Sequence, residues 1–267
     1  MNNGLAHIRD TFTRAHHENR AVLMPYFTIG FPTLEKSAAI LHSIADSGAD
    51  LIELGVPFSD PLADGPTIQH STQIALEAGT SVSGCLEVVR ELRQRGVTQP
   101  LILMGYYNPI LAYGVSNYVQ AAAEAGADGF IVPDLPPEEA HELEQACREF
   151  GLALVFMLAP TSTPDRISMV TSRASGFIYL VSLTGVTGAR NALPVDLADF
   201  IQRVKIKAHV PLAVGFGIST PEQVRQVGSQ VDGVIVGSAL ISAVDGAPDP
   251  SQAAGEFVRR LKDSLIH

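Results

Sequence analysis

Residues 34–55 read LEKSAAILHSIADSGADLIELG, and the fold is decided there. From Leu34 to Ser47 the apolar side chains recur at helical spacing. Gly48 then suits a left-handed helix stop. The run Leu51-Ile52-Glu53-Leu54 follows, apolar apart from Glu53, and reads as a strand. The alternation continues in both directions. Strands are expected near 22–29, 50–55, 100–105, 128–133, 153–158, 176–182, 211–215 and 232–237. Most are apolar on both faces, which fits a parallel sheet covered by helices. Helical spacing marks 34–47, 82–95, 116–125, 137–150, 164–173, 197–207, 221–227 and 251–266. Thr163-Pro164, Thr220-Pro221 and Asp249-Pro250 supply a cap followed by a first-turn proline. Ser47-Gly48-Ala49-Asp50 is echoed by Ala125-Gly126-Ala127-Asp128 and by Val231-Asp232-Gly233, a structural repeat without catalytic meaning.

Eight strands in 267 residues give about 33 residues per unit, enough for one strand, one helix and two loops. No linker divides the chain. The expectation is one (β/α)8 barrel over residues 1–267, with an N-terminal helix near 4–17 capping its bottom. A doubly wound open sheet is the alternative; no glycine-rich dinucleotide loop follows the first strand. With 18 Lys+Arg against 28 Asp+Glu the net charge is −10, which disfavours nucleic acid. No apolar run of about 18 residues suggests a membrane span, and the first ten residues lack a signal core. Cys85 and Cys147 are too few for a disulfide scaffold and read as reduced. A cytoplasmic or organelle-matrix enzyme is expected.

In such barrels chemistry sits at the C-terminal strand ends. Glu53 interrupts an apolar strand; with Ile52 and Leu54 facing helices, it faces the barrel axis. No Lys or Arg in the neighbouring strand cores can pair with it, so burial should raise its pKa. Asp60 and Asp64 follow in a loop shaped by Pro57, Pro61 and Pro66. Asp60 reads as a turn or cap residue. Asp64, if close to Glu53, would repel it and split the two pKa values into an acid and a base. Residues 182–191 carry Gly185, Thr187 and Gly188, a loop able to close over a ligand or an ordinary connector. Tyr179, upstream, faces either pocket or core. Gly215-Phe216-Gly217 and Gly237-Ser238 end the last two strands, where backbone amides can bind phosphate; tight turns are the plainer reading. No His stands at metal-ligand spacing and no strand-end Lys can form an imine, so carboxylate acid–base chemistry remains.

The run Glu53-Leu54-Gly55-Val56-Pro57-Phe58-Ser59-Asp60-Pro61-Leu62-Ala63-Asp64-Gly65-Pro66-Thr67-Ile68-Gln69 resembles the signature of the tryptophan synthase alpha chain family. The likeness continues through Tyr179, residues 185–188, 215–219 and 237–238, from about residue 20 to the end. It implies retro-aldol cleavage of indole-3-glycerol phosphate to indole and glyceraldehyde 3-phosphate. Glu53 and Asp64 then match the catalytic pair. Thr187 matches a lid residue that orients the aspartate. Gly188, Gly217, Gly237 and Ser238 match phosphate positions, and Tyr26, Tyr106, Pro133 and Tyr179 surround the indole. Tyr26 stands where phenylalanine is common, Leu183 where arginine occurs, and Pro133 replaces a smaller residue. The resemblance implies no cofactor and no metal. It implies a tryptophan synthase beta chain as partner, in an alpha2beta2 assembly, with residues 57–61 and Tyr107-Asn108-Pro109 facing it. A free-standing lyase is the runner-up. A weak docking activator and a sugar-phosphate epimerase are disfavoured by the intact carboxylates and by the long signature.

Overall fold

Eight short strands pair in chain order and close on themselves in a computed structural model, which describes residues 3–182, 197–215 and 217–266. They are β1 (Val22–Thr28), β2 (Ile52–Gly55), β3 (Leu101–Met104), β4 (Gly129–Ile131), β5 (Ala153–Leu158), β6 (Ile178–Val181), β7 (Leu212–Gly215) and β8 (Gly233–Val236). Every adjacent pair is parallel, and β1 closes the barrel on β8 with Val22 opposite Gly233. Around them lie α1 (Gly4–His17), α2 (Leu34–Asp46), α3 (Pro66–Glu77), α4 (Val82–Gln94), α5 (Tyr107–Tyr113) and α6 (Val115–Ala125). The ring continues with α7 (His141–Phe150), α8 (Pro164–Arg173), α9 (Leu197–Lys205), α10 (Pro221–Gly228), α11 (Ser238–Val244) and α12 (Pro250–Ile266). Among the described residues no helix is long and apolar enough to cross a membrane.

Helix starts follow the local chemistry. Thr163 caps α8 by accepting from the Arg166 amide. Thr220 and Gln223 form a reciprocal capping box on α10. Asp249 accepts from the Gln252 amide at 3.0 Å ahead of α12. Gly48 and Gly126 end their helices at φ +103° and +101°, as the expected stop requires. One expected helix is interrupted: residues 137–150 divide into a 3-10 turn, Pro137–Glu139, and α7. Pro136 and Pro137 bring no amide protons, and the first turn tightens before the regular ladder begins. β4 is also shorter than expected. Asp128 uses its carboxylate at the barrel rim, and Pro133 has no ladder donor.

The barrel bottom is closed and polar at its edge. The expected N-terminal cap is α1, whose Gly4 lies so near the Asp128 backbone that a Cβ would stand 2.3 Å from its carbonyl oxygen. Phe12 stacks against Phe177 at 5.9 Å beneath the lumen. The buried Asp50 receives both terminal nitrogens of Arg20 at 2.7 and 2.9 Å and Lys262 at 2.7 Å. It also accepts the Leu23 amide of β1 at 2.9 Å.

Candidate active site

Alternation along β1 and β2 brings Tyr26 and Glu53 into register, with Phe27 and Leu54 on the opposite, helix-covered face. Glu53 is fully buried, and neither carboxylate oxygen has a hydrogen-bond partner. Among the described residues no cation compensates it. Burial therefore pushes its pKa up to about 8. It is protonated at neutral pH, an acid stored in an apolar lumen.

Two tyrosines share this lumen. Tyr26 leans from β1 across β2, so that a Cβ on Gly55 would stand 2.1 Å from the tyrosine oxygen. Tyr179 leans from β6 across β7, and a Cβ on Gly215 would stand 2.0 Å from its oxygen. Both strand ends must be glycine because a phenol occupies the place of a side chain. Both phenols are buried and feel the charges of Glu53 and Asp64. Tyr179 is buried within the core, with its phenol oxygen at the β7 strand end. Burial, reinforced by those carboxylates, raises both phenol pKa values, so the rings stay neutral.

Asp64 reaches the same space from the loop between β2 and α3. Burial pushes its pKa up to about 6, while a hydrogen bond from the Tyr106 hydroxyl pulls it down. Tyr106 also accepts the Ala63 amide at 3.0 Å, and its ring packs on Phe58 at 5.3 Å. The loop after β2 is thereby tied to the strand end of β3. At neutral pH the two carboxyls differ in charge: Glu53 holds its proton and Asp64 has lost its own. Burial raises both carboxyls, with the Tyr106 bond restraining Asp64, and the expected mutual repulsion is a cause of neither shift.

Four further expected residues follow C-terminal strand ends. Gly237 precedes α11, with Tyr26 beneath it: a Cβ there would meet the Tyr26 ring at 3.2 Å. Ser238 begins α11 and is exposed. Gly217 has φ +75° and is exposed just beyond β7. Pro133 is half-buried two residues past β4. Asp60 is not brought in; it is exposed and accepts from the Ser59 hydroxyl at 2.6 Å, a turn residue. Thr187, Gly188 and Leu183 lie outside the described residues. Sequence reasoning missed Thr28 and Ser71, whose hydroxyls meet at 2.7 Å, both fully buried, on β1 and α3. The available signal was the polar Ser71 and Thr72 on the same helix face as Ile68 and Ala75.

Comparison with known proteins bears on the family. The family model described as tryptophan synthase alpha chain matches residues 12–264. A tryptophan synthase alpha chain from Roseiflexus castenholzii is 49% identical over 260 residues, covering 97% of this chain and all of that one. A solved tryptophan synthase structure from Mycobacterium tuberculosis superposes with a TM-score of 0.91 at 36% identity, covering 97% of this chain and 98% of that one. The alpha subunit from Legionella pneumophila gives 0.90 at 38% identity, covering 99% and 98%. With its barrel, its buried Glu53 and this likeness along nearly its whole length, the chain belongs to the tryptophan synthase alpha chain family.

Proposed function

We propose that Glu53 and Asp64 carry the family's lyase reaction, cleavage of indole-3-glycerol phosphate, as a matched acid and anion. The carrying observation is an unpartnered, fully buried Glu53 with its pKa near 8, with Asp64 near 6 and both carboxyls acting on the Tyr26 and Tyr179 phenols. Indole leaves poorly until its C3 is protonated. Glu53 delivers that proton, and the ring becomes an indolenine with positive charge at N1. Ionised Asp64 accepts the N1–H bond and stabilises the charge. Glu53, now a carboxylate, takes the proton of the side-chain hydroxyl as the C–C bond breaks. Its electron pair returns to the ring, giving neutral indole and the aldehyde of glyceraldehyde 3-phosphate. The proton account closes on Glu53, ready for another turn.

Around this pair, Tyr26, Tyr106, Pro133 and Tyr179 form the indole pocket in our reading. Amides at Gly188, Gly217, Gly237 and Ser238 receive the phosphate, and Thr187 orients Asp64 when substrate is bound. We infer a beta chain as partner and a cytoplasmic setting; the free cysteines Cys85 and Cys147 support the setting. Exposed apolar side chains support docking at the mouth. Leu62, in the loop that carries Asp64, is 93% exposed, and Leu111 on α5 is 49% exposed.

The test is indole release by purified variants. Glu53→Gln, near-isosteric but unable to shuttle a proton, is expected to lose about 10²–10⁴-fold in kcat. Asp64→Asn should lose activity too, since a neutral amide stabilises the cation poorly. Near-native turnover by Glu53→Gln would overturn the assignment.

A further inference from the structure

The backbone on either side of Asp64 is tied down. The Asp64 amide donates to the Pro61 carbonyl at 3.1 Å, and Gln69 on α3 donates to the Asp64 carbonyl at 2.9 Å. Those contacts stay within the loop and the helix it enters. Two others cross to β3 and land on one side chain. The Ala63 amide donates to the Tyr106 hydroxyl oxygen at 3.0 Å, and the Phe58 ring rests on the Tyr106 ring at 5.3 Å.

Tyr106 is itself held. It is buried, two residues beyond β3, at the start of α5. The next amide, that of Tyr107, donates to the Asp134 carboxylate at 2.9 and 3.2 Å. Asp134 stands in the turn after β4, so the ends of β2, β3 and β4 are joined around Tyr106. The direction of each bond at its hydroxyl is determined. A backbone amide only donates, and an ionised carboxylate only accepts. The oxygen therefore accepts from Ala63, and the hydroxyl proton goes to its other partner, the Asp64 carboxylate. Accepting from Ala63 polarises the hydroxyl and strengthens its donation. Tyr26 on β1 and Tyr179 on β6 also act on Asp64, as neutral phenols, and both feel Glu53 on β2. Asp134 acts on Tyr106 from behind.

We propose that Tyr106 is a positioning residue for Asp64: one hydroxyl fixes the loop at Ala63 and orients the carboxylate at the next residue, so its main effect on the reaction passes through Asp64 rather than through contact with indole. This rests on Asp64 acting as the anion that stabilises the protonated ring, as argued above.

The experiment is the pH profile of kcat/KM for indole release, whose acid limb reports the essential base of the free enzyme. For Asp64 that limb is expected near pH 6. Tyr106→Phe keeps the ring against Phe58 and removes only the hydroxyl; Ala63 is exposed, so its amide turns to water. The carboxylate then loses a donor to its charged form. The acid limb should move up by about 0.5–1 pH unit, the shift expected of one ordinary hydrogen bond. The alkaline limb, which belongs to Glu53, should stay in place. At the optimum kcat should fall by about 2–10-fold, with KM changed by less than about twofold. In an Asp64→Asn background, adding Tyr106→Phe should cost no more than about twofold, because the two residues act as one unit. An unmoved acid limb in Tyr106→Phe, with Asp64→Asn impaired, overturns the Tyr106 inference and leaves the Asp64 assignment standing. A Tyr106→Phe loss that falls on KM, or that persists in full without the Asp64 carboxylate, also overturns it and makes Tyr106 an indole contact. Near-native turnover by Asp64→Asn removes both.

Discussion

A carboxyl group without a partner inside a barrel lumen is costly whenever it is charged. Glu53 is in that position, with its pKa near 8 against an ordinary carboxylate value. The linkage has a definite sign. Between about pH 4.5 and 8 the folded chain holds a proton that the unfolded chain has released, so stability falls as pH rises through that window. Glu53→Gln removes the titration. It should therefore melt higher than the parent at pH 8, by on the order of 1–3 kcal/mol of stability, and the gain should shrink toward pH 5. Thermal melts of both proteins across that range would measure it. A constant difference at every pH would mean that Glu53 carries no such strain. Asp64 sits nearer the surface and has Tyr106 as donor, so its replacement should bring a smaller gain.

Between strands, a repeated device fixes the bottom of the barrel. Asp50, Asp128 and Asp232 each accept an amide from the first or second residue of the preceding strand: Leu23 at 2.9 Å, Leu101 at 2.8 Å and Leu212 at 2.8 Å. Ser175 does the same for Leu154 at 3.0 Å. Successive strand pairs are thus tied alike, β1–β2, β3–β4, β5–β6 and β7–β8. The Gly-Ala-Asp echo was legible in the sequence as a helix stop, but the aspartate's partner lies 27 residues away for Asp50 and cannot be read locally. The Ser175 member shares no motif with the others. Long periodic helices and the Glu53 face were legible for the opposite reason, since both depend on neighbours in the chain. Short α5 and α11 span too few turns to show a period, and Tyr106 meets Ala63 only across 43 residues. Asp50 offers the sharpest test of the rim. Burial would raise its pKa, but Arg20, Lys262 and the Leu23 amide more than offset this and hold it below the ordinary carboxylate value. Asp50→Asn leaves two buried cations facing an amide, which should cost about 3 kcal/mol. That corresponds to a melting point lower by roughly 6–12 °C for a chain of this size. The loss should be complete at neutral pH and fade as pH falls below about 4, where the parent's own aspartate takes up its proton. Indole release at 25 °C should be retained, because the rim lies at the end of the barrel opposite Glu53.

Over the whole molecule, stability and chemistry occupy opposite ends of one barrel. The bottom is plugged by α1 and tied by buried ion pairs; the mouth carries the carboxyls, the phenols and exposed apolar side chains. Leu62, Leu111 and Tyr113 follow β2 and β3, next to the loop that places Asp64. Exposed leucines carry no catalytic chemistry, and their placement beside the mouth suits the proposed beta-chain docking. Indole, being apolar, escapes readily into solvent or membrane, and a partner seated on the mouth would receive it directly. Docking there would also order the loop that holds Asp64, shifting the site toward its working geometry. Leu111→Glu separates the two effects. The side chain points to solvent on α5 and is outside the pocket, so basal indole release should stay within about twofold of the parent. An unpaired charge at the centre of an interface should weaken beta-chain binding by roughly tenfold or more, with activation reduced in step. Sedimentation of the mixed chains, together with indole release with and without the partner, measures both. Undiminished binding by Leu111→Glu would place the docking face elsewhere. A parent chain that is fully active alone and forms no complex at micromolar concentration would favour the free-standing lyase.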